Sequence, residues 1–147
     1  MKRGDIVFFD TNILLAATDA GRIAHSAAVS VFSRLSGDGI HLAVSGQIIR
    51  EYLVVATRPV GNNGLGLKLH NALDNISEFR SRTIFLEETL QTAEKLVEII
   101  ESTGIHGKRI HDMNIAATMI SHGVETLFTF NPGDFSDIGG IEIRVPE

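Results

Sequence analysis

Cysteine is absent from all 147 residues. That removes disulfides and thiolate chemistry from consideration, and it fits a cytoplasmic protein. Long hydrophobic runs are missing too. Acids, amides and glycines interrupt every apolar stretch well short of the roughly 18 residues a membrane span needs, so no membrane association is expected. The opening Met1-Lys2-Arg3-Gly4 leads straight into a strand-like run carrying Asp5. An uninterrupted apolar segment and a small-residue cleavage site are both lacking there, so the expectation is no secretory signal and a cytoplasmic location. The six histidines are scattered, and no Ser–His–Asp set or histidine metal cluster assembles from their spacing. The glycine-asparagine segment Gly61-Asn62-Asn63-Gly64-Leu65-Gly66 lacks the lysine of a phosphate-binding loop and follows a helix instead of a strand. It is expected as a flexible rim beside a substrate groove. Without internal repeat, low-complexity tract or linker, residues 1–147 are expected to form a single domain.

What is present is an ordinary globular balance, 44% hydrophobic and 21% charged residues, in a chain long enough to bury a sizeable core. The net charge of -5 argues against nonspecific nucleic-acid binding, which depends on neutralising phosphates. That charge is uneven, however. Residues 1–75 hold seven Lys/Arg against six Asp/Glu, and residues 76–147 hold six against twelve. Glu87, Glu88, Glu94, Glu98 and Glu101 fall on one helical stretch, so an acidic total still permits a local basic groove.

The order of elements reads as strand and helix in alternation. Residues 5–9 form a short buried strand of β-branched and aromatic residues. Asp10-Thr11-Asn12 then supplies capping side chains ahead of Ile13 to Ala17. A helix covers 24–35, a strand 40–44, and a helix capped by Ser45 runs to about Thr57, where Arg58-Pro59 closes it. Residues 67–79 read as helix, 83–86 as strand, and 87–102 as a long amphipathic helix burying Leu90, Ala93, Val97 and Ile100. A helix over 108–122, a strand over 126–129 and a short strand over 141–143 complete the chain. Such alternation predicts an α/β fold, a three-layer α/β/α sandwich on a mainly parallel central sheet. Sites in these sheets lie beyond the carboxyl ends of the strands, which is where Asp10 and Asn131 fall.

Three acids stand where acids are costly. Asp10 ends the first strand. Glu51 shares a helical face with Ile48, Val54 and Val55, and Asp112 shares one with Ile115, Ala116 and Met119. Carboxylates on apolar stripes need a partner or a cation. Convergence of three or four oxygen ligands at one end of the sheet suits Mg²⁺ or Mn²⁺. Such an ion activates water and neutralises the charge that develops on a phosphodiester. Asp10 and Asp112 are the expected direct ligands. Glu51 binds through water or orients the attacking water, and Thr11, Asn12 and Thr129 hold the carboxylates in place. Arg50, Arg58, Lys108 and Arg109 are candidate contacts to the phosphates of such a substrate.

Four segments together carry a family likeness: Phe9-Asp10-Thr11-Asn12, Gln47-Ile48-Ile49-Arg50-Glu51, His111-Asp112-Met113-Asn114-Ile115-Ala116-Ala117 and Thr129-Phe130-Asn131-Pro132-Gly133-Asp134-Phe135. In this order, across nearly the whole chain, they resemble the PIN-domain ribonucleases, particularly the VapC-like toxins of toxin–antitoxin pairs. The resemblance implies Mg²⁺-dependent cleavage of RNA, homodimers, and capture of a small antitoxin protein near the acids. It also implies that the family's first and third acids, matching Asp10 and Asp112, bind metal, with Glu51 as the second. The fourth acid is where this chain departs. Many members carry one at the position of Asn131, and here an aspartate, Asp134, follows three residues later, so either residue is a candidate for that place. A housekeeping RNA-processing nuclease, or a binding module with weakened catalysis, are the alternative readings. A phosphatase of the haloacid dehalogenase type is excluded, because its second aspartate is replaced by Asn12.

Overall fold

The computed structural model describes residues 1–147. Five strands build one sheet: β1 (Ile6–Phe9), β2 (His41–Ser45), β3 (Ile84–Leu86), β4 (Thr126–Phe128) and β5 (Glu142–Arg144). Their spatial order is β3-β2-β1-β4-β5 and every pairing is parallel. The central strand β1 lies between β2, with Val7 opposite Leu42, and β4, with Phe8 opposite Leu127. Val7, Phe8 and Phe9 are wholly buried, as a central parallel strand covered on both faces requires.

Six α-helices cover the sheet: α1 (Thr11–Thr18), α2 (His25–Gly37), α3 (Gly46–Thr57), α4 (Leu69–Arg82), α5 (Leu90–Thr103) and α6 (Ile110–Ser121). The chain steps outward from β1 to β2 to β3, then reverses to reach β4 on the far side of β1. Right-handed crossovers put the helices of the outward steps on one face and those of the reversal on the other. Accordingly α1 packs with α2 and α3, α3 with α4, and α5 with α6, giving the three-layer sandwich expected from the alternation. The reversal places a topological switch point between β1 and β4, and the carboxyl ends of those two strands open onto it. The core is rich in aromatic contact there. Phe9 meets Phe32 edge-on at 4.8 Å between ring centres and Phe128 at 5.8 Å.

Several local expectations change in the structure. The stripe Leu90, Ala93 and Val97 of α5 faces solvent, Leu90 at 75% and Val97 at 56% exposure, and Ile100 is only half-buried. The buried side is instead Thr92, Leu96 and Ile99, set against Ile105, Met113, Ala116 and Ala117. The start of α5 decides this. Thr89 caps the helix reciprocally with Thr92, and Thr92 Oγ1 lies 3.0 Å from Ser121 Oγ of α6. That polar anchor turns the 92–96–99 face inward.

Ser45 occupies the cap position of α3 without making a cap hydrogen bond, and its hydroxyl is buried without a partner. The helix expected from Lys108 opens as a 3-10 turn over Gly107–Arg109 and becomes α-helical at Ile110. The segment 61–66 does not border the acidic pocket described below. Its backbone folds back on the end of α3, with Leu65 N–H donating to Val55 C=O at 3.0 Å and Gly66 N–H to Arg58 C=O at 2.9 Å.

Candidate functional site

The first acid is fixed by the junction between β1 and α1. Asp10 leaves the strand in an extended conformation and becomes the cap of α1, its Oδ1 accepting from the Thr11 backbone N–H at 2.7 Å. Its Oδ2 accepts from Thr129 Oγ1 at 2.7 Å and from Asn12 Nδ2 at 3.0 Å. Asn12 also spans the switch point, taking the Phe130 backbone N–H on its Oδ1 at 3.1 Å and donating to Thr129 Oγ1 at 3.0 Å. Thr129 in turn accepts from the Asn131 backbone N–H at 3.0 Å. The carboxyl end of β4 is thereby tied to the carboxyl end of β1 through the residues around Asp10.

The second acid is fixed by the first turns of α3. Glu51 Oε2 accepts from Thr11 Oγ1 at 2.8 Å, and its Oε1 accepts from Gln47 Nε2 at 2.8 Å. No lysine or arginine pairs with it, so its charge is left for the pocket. Ile48 is fully buried, whereas Val54 is 55% exposed and Val55 half-buried. Glu51 therefore lies at the edge of an apolar stripe, looking into a pocket together with those two valines. The third acid, Asp112, sits in the first turn of α6, half-buried, while Ile115, Ala116 and Met119 of its stripe are fully buried.

These side chains share one pocket of about 460 Å³, lined by Asp10, Glu51, Asp112, Asp134, Asn131 and Arg50 among others. Thr11 and Asn12 also reach its wall, and Thr129 stands behind Asp10. Burial, first, and then the charges of Glu51 and Asp134 raise the Asp10 carboxyl from 3.8 to about 6, against hydrogen bonds from Thr129 and Thr11 that lower it. Asp112 is also raised to about 6, by burial first and then by Asp134, Asp10 and Glu51, while Arg109 opposes the rise. Asp10 and Asp112 thus both feel the charges of Glu51 and Asp134, and the site accumulates negative charge.

The donor set is all oxygen and anionic, which is the chemistry of a hard divalent cation. A cation among these acids would offset the burial and the repulsion that together raise Asp10 and Asp112, so the residues present fit such an ion. They do not form a closed cage: no three His, Asp or Glu groups stand close enough together to hold an ion as they are placed. Like charges repel one another, and the carboxylates are spread around the pocket wall.

The basic candidates divide. Arg50 lines the pocket. Arg58 caps the C-terminal end of α3, about 10 Å along the helix from Glu51 at 1.5 Å per residue, with its Nε buried and without a partner. Lys108 and Arg109 lie in the 3-10 turn before α6, outside the pocket lining. Arg109 pairs with Asp137 at 3.0 Å, and its charge still reaches Asp112. Two further residues belong to the site without having been assigned a role from sequence. Gln47 holds Glu51, and Asn114 holds Gln47 through a 2.7 Å bond from its Nδ2 to Gln47 Oε1. Gln47 stands four residues before Glu51 on one helix, a spacing at which amide–carboxylate pairs meet, and that was the available signal.

Comparison with known proteins bears on the family and the fold. The family model described as "PIN domain" matches residues 7–141. No curated protein matches the chain. Among solved structures, VapBC2 from Rickettsia felis bound to a DNA fragment from its promoter is similar at TM-score 0.74 and 19% identity, covering 97% of this chain and 99% of that one. DNA-bound VapBC from Salmonella typhimurium follows at TM-score 0.71 and 21% identity, covering 99% and 98%. VapC20 from Mycobacterium tuberculosis, described as a toxin cleaving the sarcin–ricin loop, is similar at TM-score 0.68 and 21% identity, covering 94% and 98%. At such identities the likeness is one of fold.

Proposed function

The chain belongs to the PIN-domain family, and from that footing we propose that it is a Mg²⁺- or Mn²⁺-dependent endoribonuclease, the toxin of a toxin–antitoxin pair. The observation that carries the reading is the meeting of Asp10, Glu51, Asp112 and Asp134 in one pocket at the switch point, two of them with raised pKa values. When bound, the cation supplies charge neutralisation at the scissile phosphate and a more acidic water. Asp10 and Asp112 would hold it. Glu51, fixed at both oxygens by Thr11 and Gln47, orients the water that adds to phosphorus as the bond to the neighbouring nucleotide oxygen breaks. Thr129 and Asn12 keep Asp10 turned into the pocket. Arg50 on the wall is the basic group best placed for a flanking phosphate.

The toxin reading draws support from the fold shared with VapBC complexes and with VapC20. Apolar surface left uncovered on Leu69 and Leu73 of α4 and on Phe85 of the edge strand β3 supports coverage by an antitoxin and by a second copy of the chain. No helix is long and apolar enough to cross a membrane. The test is cleavage of a broad RNA pool by purified protein with Mg²⁺, Mn²⁺ or EDTA, beside Asp112→Asn. Cleavage that requires both the ion and Asp112 is expected. Cleavage in EDTA, or at full rate by the variant, would remove the cation mechanism.

A further inference from the structure

Gln47, like Asn12, has both polar atoms of its amide bonded, and it bonds to two of the elements that carry acids. It lies in the first turn of α3 and is 1% exposed. Its Nε2 has two hydrogens and two acceptors: Glu51 Oε1 at 2.8 Å and the His111 backbone carbonyl at 2.8 Å. Its Oε1 receives Asn114 Nδ2 at 2.7 Å. Every polar atom of the amide is occupied. The orientation is forced as well. A flipped amide would face its oxygen at the carboxylate and the carbonyl, and its NH₂ at the NH₂ of Asn114.

His111 immediately precedes Asp112, and Asn114 lies one turn into the same helix. The single amide therefore joins the carboxylate of Glu51 to the start of α6, where Asp112 is set. Resting on the cation-dependent reading above, we propose that Gln47 is a positioning residue that holds Glu51 and the α6 start in register, so that Glu51 and Asp112 face one cation together. A neutral donor is the group this place needs. Lysine or arginine there would neutralise Glu51 and compete with the cation, and an acid would repel it. Glutamine fixes the carboxylate while leaving its charge for the pocket. Asn114 secures the amide from the far side through its side-chain Nδ2.

The experiment is a Mn²⁺ titration by calorimetry on four proteins: wild type, Gln47→Leu, Glu51→Gln and the double variant, with thermal unfolding and RNA cleavage measured in parallel. Outer partners of metal-holding side chains typically contribute about 10–100-fold in affinity or activity. Gln47→Leu is expected to weaken Mn²⁺ by that factor and to lower kcat with the KM for RNA nearly unchanged. In the Glu51→Gln background the same substitution is expected to cost distinctly less Mn²⁺ affinity, because the part of its effect that passes through Glu51 is already lost and only the hold on the α6 start remains. If Gln47→Leu does not fold, Asn114→Leu unlocks the amide without removing it, and a smaller loss with the same dependence on Glu51 is expected.

Unchanged Mn²⁺ affinity, with or without a lower melting temperature, would overturn the proposal. So would a loss of equal size in both backgrounds, or a wild type that binds no Mn²⁺. Binding without cleavage would overturn the nuclease reading alone and leave the positioning role intact.

Discussion

Replacing Asp10 by asparagine removes a charge that the fold bears at a cost, so the variant is expected to be inactive and yet more stable in the absence of cations. A rise in the Asp10 carboxyl from 3.8 to about 6 corresponds to roughly 3 kcal/mol of native-state destabilisation once the group is ionised. The direction follows from proton binding. Between pH 4 and 6 the folded protein holds the Asp10 proton more tightly than the unfolded chain, so the penalty is complete above about 6 and is relieved as pH falls through that value. Asparagine escapes the penalty at every pH. Its amide oxygen can take the place of Oδ2 and accept from both the Thr129 hydroxyl and Asn12 Nδ2, because the lone pairs of that hydroxyl are already taken by Asn12 and the Asn131 N–H. Against the Thr11 N–H the amide then places donor on donor, a loss of about 1–2 kcal/mol. The net gain at pH 8 is then about 1–2 kcal/mol, or roughly 3–8 °C in Tm for a chain of this size. Thermal unfolding followed by circular dichroism in EDTA, at pH 8 and pH 4.5, measures it. Between those values the advantage of the variant is expected to shrink by about 2 kcal/mol, because wild type regains that much on protonation. Saturating Mg²⁺ raises the Tm of wild type alone. A variant less stable than wild type at pH 8, or a difference that does not change with pH, would refute the reasoning.

Asp134→Asn and Asn131→Ala separate the two candidates for the fourth position. Asp134 is the charge that most raises Asp112, whereas Asn131 is exposed and bonds Thr129 through its backbone. Loss of cleavage is expected in Asp134→Asn, together with a lower Asp112 pKa by carboxyl NMR titration, while Asn131→Ala stays within a few-fold of wild type; the reverse pattern moves the fourth position to Asn131. Gly64→Ala would set a Cβ 1.9 Å from the Arg58 carbonyl oxygen, a backbone atom that cannot move aside alone. A loss near 3 kcal/mol by urea unfolding is expected, and a neutral result would mean the turn is not seated on α3 as described. Val97→Ser is expected to shift stability by less than about 0.5 kcal/mol, against 2–5 kcal/mol for Ile99→Ala, and comparable losses would restore the other face of α5 to the core.

What could be read from the residues, and what could not, follows from where each constraint is written. The Asp10 junction was legible because strand end, cap and acid are adjacent in the chain. A carboxylate beside apolar neighbours at helical spacing is costly by itself, and that argument holds for Asp112, whose neighbours are buried, but only partly for Glu51, whose neighbour Ile48 is buried while Val54 is exposed. The face of α5 was not legible. Leu90, Ala93, Val97 and Ile100 form one stripe at spacings of three and four, and Thr92, Leu96, Ile99 and Thr103 form another, so periodicity cannot choose between them. The choice rests on Thr92 reaching Ser121, twenty-nine residues away. Gln47 escaped for the same reason in sharper form. A glutamine in the first turn of a helix carries no local penalty, and it becomes costly to remove only once Asn114 and the His111 carbonyl, 67 and 64 residues on, close around it. Charges at odds with their own neighbours mark a site from sequence alone. The neutral side chains that hold those charges in place acquire their importance from the fold, because their partners lie on other elements.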